Sequence, residues 1–132
     1  MDPLVPIPLT AIEEARDRIA GAAIKTPLLP LNLPDAPCEI WLKAECLQLI
    51  GSFKIRGAAN AMALADQAEL QWGVYTGSAG NMAQGVAFNA QRRGIPCRVI
   101  VPETAPQTKL SAIARLGATT VSVPFDEWWS VI

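Results

Sequence analysis

From residue 52 onward, apolar runs of strand length alternate with stretches of helix length, and glycine or proline stands at most of the junctions. Residues 52–69 are rich in alanine and read as a helix. Residues 73–76 read as a short strand ending in Gly77-Ser78-Ala79-Gly80. Residues 81–93 follow as a helix, with Asn81 suited to its N-cap, Gln84 three positions on, and Gly94 as its stop. A strand at 97–101 lies between Pro96 and Pro102, a helix at 108–116 closes at Gly117, and a β-branched strand follows at 119–123. A chain that repeats strand and helix at this spacing folds as an α/β structure, an open parallel sheet flanked by helices. Right-handed crossovers set the loops after the strands along one edge, where such sheets bind their ligands.

The first fifty residues are less regular. Residues 1–9 carry three prolines and read as an extended lead-in. Thr10 and Glu13 match a capping box, and Ile12, Ala15, Ile19 and Ala22 recur at helical spacing, so a helix is expected from Thr10 to near Gly21. Residues 26–37 hold four prolines and read as a long irregular connection, with a strand expected at 39–45. At the other end, Asp126 opens a helix that stops with the chain. Trp128 and Trp129 are left there without a core to enter, so a truncated chain is expected.

Composition narrows the function classes. At 132 residues and 51% hydrophobic, the chain predicts one folded domain rather than disorder. Eleven Lys and Arg against twelve Asp and Glu give a net charge of -1, which offers nothing to nucleic acid. There is no histidine, which excludes Ser-His-Asp and Cys-His catalysis and His-ligated zinc. Cys38, Cys46 and Cys97 form no C-x-x-C pair and are odd in number, so reduced thiols and no metal site are expected. No apolar run nears the ~18 residues that span a bilayer. Met1-Asp2-Pro3 lacks the positive region of a signal peptide, so a cytoplasmic protein without membrane contact is expected.

Two stretches carry chemistry. In Gly51-Ser52-Phe53-Lys54-Ile55-Arg56-Gly57-Ala58, a lysine flanked by apolar residues stands at a helix start. Partial desolvation there favours a neutral, nucleophilic amine able to form a Schiff base with an aldehyde. An isolated lysine in such a place would ordinarily be a surface residue. In Gly77-Ser78-Ala79-Gly80-Asn81-Met82-Ala83-Gln84-Gly85, small residues let a ligand approach the backbone, and a following helix N-terminus favours negative groups. Taken alone it would ordinarily be a tight strand-to-helix turn. Neither stretch is G-x-G-x-x-G or a P-loop, so a nucleotide site has little support.

Taken together and in this order, residues 43–58 (KAECLQLIGSFKIRGA) and 78–87 (SAGNMAQGVA) resemble the lysine motif and asparagine loop of threonine/serine dehydratases. These are pyridoxal-phosphate enzymes of the two-domain tryptophan synthase β-like fold. The resemblance runs from about residue 12 to the C-terminus. It implies that Lys54 is the Schiff-base lysine, with Phe53 and Ser52 shaping the wall behind the cofactor ring. Asn81 would hydrogen-bond the ring hydroxyl, and Ser78, Ala79, Gly80 and Asn81 would hold the substrate carboxylate. Residues 1–50 would be a helix and strand packing on the large domain, and residues 51–132 part of the small α/β domain. Met82 departs from the histidine common at its position in the family, and Ile50 from a small or hydroxylated residue.

The activity implied is β-elimination of L-threonine or L-serine to a 2-oxo acid and ammonia. Its partners would be a small amino-acid substrate and, at most, further copies of the same chain. A racemase of this family needs a second acid/base on the face opposite the lysine, where relatives place a serine hydroxyl. Ala79 cannot move a proton, so its presence favours elimination. A β-replacement synthase of the same fold and a truncated, non-catalytic fragment remain as alternatives.

Overall fold

The strand expected at 97–101, between two prolines, becomes the centre of the sheet. A computed structural model describes residues 5–130. In chain order, helix α1 (Leu9–Arg18) is followed by the short strands β1 (Leu28–Pro30) and β2 (Trp41–Lys43). A 3₁₀ turn (Glu45–Leu47) then leads to α2 (Lys54–Leu64) and α3 (Gln67–Leu70). From there β3 (Val74–Gly77), α4 (Asn81–Arg93), β4 (Cys97–Pro102), α5 (Gln107–Arg115), β5 (Thr119–Val123) and α6 (Phe125–Trp128) alternate. Strands β3, β4 and β5 form a parallel sheet in that order, with Val99 opposite Thr76 on one side and Thr120 on the other. The α/β architecture expected from the alternation is the one observed.

Strand pleating sends Cys97, Val99 and Val101 to one face, where all three are buried. Ala83, Ala87 and Ala90 of α4 and Ile113 of α5 close over them, with Met62 and Leu70 completing the cluster. Alanines at these positions let α4 lie close to the strands. Burial also pushes the Cys97 thiol above its ordinary range. A smaller cluster of Ile19, Ala22 and Ala59 ties the end of α1 to α2. The opposite face of the sheet is barer, with Arg98 exposed and Tyr75 of β3 at 75% exposure. Among the described residues, no helix is long and apolar enough to cross a membrane.

Four local expectations change. Helix α1 starts at Leu9 with Pro8 as its N-cap, so Thr10 falls inside the first turn and caps nothing. Pro8 is already extended, at φ -67° and ψ 147°, and supplies the entry without a side-chain cap. The helix expected over 52–69 is two helices: Ala65 turns extended, and Asp66 caps α3 by accepting from the Ala68 N–H at 2.8 Å. The proline-rich connection contains β1, whose Leu28, Leu29 and Pro30 pair antiparallel with Lys43, Leu42 and Trp41. Helix α4 is capped by Gly80, leaving Asn81 as its first helical residue, while Gly94 stops it in the left-handed conformation. The lead-in residues 1–4 and the final residues 131 and 132 lie outside those described.

The path into α2 is held by a polar clamp. Arg56 grips Glu45 with both arms of its guanidinium, Nε to Oε2 at 2.9 Å and Nη2 to Oε1 at 2.8 Å. Thr26 Oγ1 donates to Glu45 Oε1 at 2.5 Å, and Gln48 Nε2 donates to Oε2 at 3.2 Å. Buried Gln48 also pairs with both backbone groups of Ile24, and Arg56 Nη2 donates to the Ile24 carbonyl at 3.0 Å. Residues 24–26, the 3₁₀ turn and α2 are thereby fastened at one carboxylate. The Arg56 guanidinium above all holds that carboxyl down from an ordinary 4.5 to about 2.

Two consequences are measurable. Ile113 is fully buried, so Ile113→Ala should cost ~2–5 kcal/mol. The denaturation midpoint should fall while the slope of the transition stays constant. Glu45 is more acidic folded than unfolded, so its contribution is complete above pH 4.5 and disappears as pH falls toward about 2. A pH titration of stability should show that decline in the native chain. Glu45→Gln should be less stable at neutral pH and show less of the decline.

Candidate active site

The loop at the carboxyl end of β3 and the N-terminus of α2 meet through the packing of α4 on α2. Gly85 is the point of closest approach: a Cβ built there would lie 3.0 Å from the Lys54 carbonyl oxygen and 3.2 Å from its carbon. Only glycine allows that separation, and Asn81 lies one helical turn, about 6 Å of rise, before it. Lys54 and Asn81, which the sequence places on separate elements, thus start two helices in backbone contact. The carboxyl edge of the sheet is where the sequence argument expected a ligand.

Lys54 opens α2 and is half-buried. Its backbone N–H donates to Ser52 Oγ at 3.3 Å, which makes buried Ser52 a support for the lysine's own backbone. The Lys54 Nζ stands 5.3 Å from the centre of the Phe53 ring, and that ring is 57% exposed. Phe53 therefore offers one face to the lysine and another to the outside.

The 78–80 turn is fixed from both ends. The Ser78 N–H donates to the Ile100 carbonyl at 3.1 Å, extending the pairing of β3 with β4. Ser78 Oγ accepts from the Gly80 N–H at 3.2 Å, so the loop's one hydroxyl is engaged within the loop. Ala79 is half-buried against the core. Gly80 brings no side chain to the start of α4, and its carbonyl accepts the Gln84 N–H at 3.2 Å as the first helical bond. The first-turn amides of α4 therefore have no side-chain cap, a local field suited to a carboxylate. Asn81 is exposed at this point.

A cleft of about 770 Å³ lies elsewhere, between α1, α2 and the segment at residues 23–25. A second, apolar cavity of about 280 Å³ is lined by Met82 and Val86 of α4 with Met62 and Leu70. Neither is lined by Lys54 or Asn81. The candidate groups stand on an open edge because they come from two helix starts rather than from the lining of a hollow.

Sequence reasoning singled out Lys54, Phe53 and residues 78–81 but not the residues that hold them. Glu45, Gln48 and Arg56 belong to the quoted lysine stretch, and their spacing carried no pairing signal because Ile24 and Thr26 complete the clamp. Asn89 is a polar residue among alanines on the inner face of α4, which was the one available sign that it bonds something.

The family described as "Pyridoxal-phosphate dependent enzyme" matches the chain over residues 19–130. Serine racemase of Dictyostelium discoideum is 43% identical over 121 residues, covering 90% of this chain and 37% of that protein. L-threonine ammonia-lyase of Geobacter sulfurreducens is 42% identical over 130 residues, covering 92% of this chain and 31% of that one. The crystal structure of the D. discoideum serine racemase superposes with a TM-score of 0.82 at 42% identity, over 89% of this chain and 39% of its own. The chain spans about a third of the length of these curated relatives. The matched region contains both the lysine stretch and the asparagine loop, and the backbone beneath them is shared, so the chain belongs to the pyridoxal-phosphate dependent enzymes.

Proposed function

We propose that Lys54 anchors pyridoxal phosphate and that the whole protein eliminates water from L-threonine or L-serine. The observation that carries this reading is the close approach of the Lys54 backbone to Gly85, one turn into a helix whose start has no side-chain cap. The residues present fit the cofactor: an amine at a helix start, a turn of small residues that a planar ring can approach, and an amide side chain at Asn81 able to donate or accept.

When bound, pyridoxal phosphate supplies the electron sink for a carbanion at the substrate's α-carbon. The chain supplies the rest. The first-turn amides of α4 and the turn at Ser78, Ala79 and Gly80 hold the substrate carboxylate. Asn81 orients the ring through its hydroxyl. Freed when the substrate amine takes its place, Lys54 Nζ would take the α-proton, and that proton would depart with the β-hydroxyl as water. The enamine product then hydrolyses to a 2-oxo acid and ammonia.

Relatives of similar identity include both a racemase and an ammonia-lyase, so the side chains on the far face weigh in the choice. Racemisation needs a proton donor opposite Lys54. Ala79 has none; the Ser78 oxygen faces into the turn, where it accepts the Gly80 N–H. Elimination needs one face only.

Residues 1–50 are read here as packing on a second, larger domain, and residues 51–132 as part of the smaller one. Two exposed surfaces support that reading. Leu28, Leu29, Trp41 and Leu42 of the β1–β2 ribbon are all exposed, on both of its faces. Parallel sheets are ordinarily covered on both sides, yet Tyr75 and Val121 (42% exposed) lie open here.

Mixing the chain with pyridoxal phosphate, reducing with borohydride and mapping the adduct tests the anchor. A stoichiometric adduct on Lys54, absent in Lys54→Ala, is expected; labelling spread over Lys25, Lys43 and Lys109 would sink the assignment. In the full-length protein, threonine or serine should yield a 2-oxo acid with little D-amino acid. Because a positioned acid/base contributes ~10²–10⁴-fold, Ala79→Ser should raise the ratio of racemisation to elimination by about tenfold or more. Predominant D-serine from the native protein would instead favour a racemase.

A further inference from the structure

Asn89 is only 2% exposed and sits among alanines on the inner face of α4. Its Nδ2 donates to the Gly85 carbonyl in its own helix at 2.8 Å and to the Ile55 carbonyl of α2 at 3.4 Å. Burying an amide is costly unless its hydrogen bonds are met, so a residue of this kind needs a reason to be inside. The two carbonyls it joins supply one: Gly85 is the residue in contact with the Lys54 backbone, and Ile55 is the residue that follows Lys54.

The surfaces that meet here are small. Ala58 of α2 faces α4 at Gly85, a Cβ at which would lie 3.4 Å from the Ala58 Cβ. Small residues permit a close approach but offer few knobs to resist sliding along the helix axis. A buried, directional hydrogen bond supplies that resistance, as single buried polar residues do in other helix pairs. A slip of α4 by one residue would carry Asn81 about 1.5 Å past Lys54. Misplacement on that scale costs a reacting pair dearly.

We propose that Asn89, acting with Gly85, is a positioning residue. Its amide sets the axial register of α4 on α2 and thereby the placement of Lys54 against Asn81. This rests on the reading of Lys54 as the cofactor's lysine.

The test follows the rate of borohydride-trapped labelling by pyridoxal phosphate at each lysine, by mass spectrometry, well below the thermal midpoint. In Asn89→Ser, the shorter side chain keeps within reach of the Gly85 carbonyl but not of Ile55. Labelling at Lys54 should slow by about tenfold or more. Labelling at Lys25 and Lys109, which belong to neither α2 nor α4, should stay within about twofold. General destabilisation would not single out Lys54 in this way. Gly85→Ala forces the helices apart from the other side without leaving a buried polar group unmet, and should show the same selective loss. It decides the matter if Asn89→Ser fails to fold. A folded variant that labels Lys54 at the native rate overturns the positioning role alone. A native chain that labels Lys54 no faster than Lys25 and Lys109 overturns the cofactor assignment, and this role with it.

Discussion

The separation of α2 and α4 at Gly85 is the constraint on which the rest of the site depends. Helix α4 has two duties that pull in different directions. Its inner alanines must lie on β3 and β4 to bury Val99 and Val101, which fixes its position over the sheet. Its first turn must also stand beside the start of α2, which fixes its position along the sheet edge. Gly85 lets both be met, because any larger residue would press on the Lys54 peptide. The core and the chemistry therefore share one helix, and a change that loosens one moves the other.

The Glu45–Arg56 clamp works on α2, the helix against which α4 packs. Helix α2 begins with Phe53 as its N-cap, a side chain that caps nothing, and the bond available to its first N–H comes from the Ser52 hydroxyl. Ser52 and the clamp compensate. One carboxylate collects a bidentate guanidinium, a hydroxyl and an amide, and the groups bonded to it tie down residues 24–26. Bidentate pairing is directional as well as strong, so it fixes orientation where a lysine in place of Arg56 would supply only charge. The segment leading to Lys54 is thus held by α4 on one side and by Glu45 on the other.

What was legible in the sequence was whatever is encoded locally. The strand–helix alternation after residue 52, the left-handed stop at Gly94 and the turn at 77–80 are each set by residues within a few positions, and all three are found in the structure. The misreadings were of two kinds. Some were local signals given too little weight: Asp66 with Glu69 is itself a helix-start pattern, and the alanine run hid it. Others had no local signal. Strand β1 exists because Leu28–Pro30 finds β2 eleven or more residues later, and its own composition reads as loop. Asn89 finds Ile55 across 34 positions, and Arg56 finds Ile24 across 32. The lysine and asparagine motifs were readable as chemistry because they recur as strings; the groups that hold them in place are pairings, which a single sequence does not display.

The division between Lys54 and Ala79 shows how much of the proposed specificity is carried by what a position lacks. A planar cofactor presents two faces to a substrate, and proton transfer on one face gives elimination or return of the same enantiomer, whereas inversion needs a donor on each. On the proposed reading, Lys54 would serve one face from the start of α2, and the turn after β3 would border the other. The shape of that turn is fixed by the Ile100 carbonyl, by the Ser78–Gly80 bond and by the core behind Ala79. A hydroxyl added at residue 79 would enter a turn that is already built, held by the bond from the Gly80 N–H to Ser78 Oγ. Substitution there changes the chemistry offered to the second face without asking the fold to move, and that separation makes residue 79 a sharper probe of reaction type than any residue in the clamp or the helix contact.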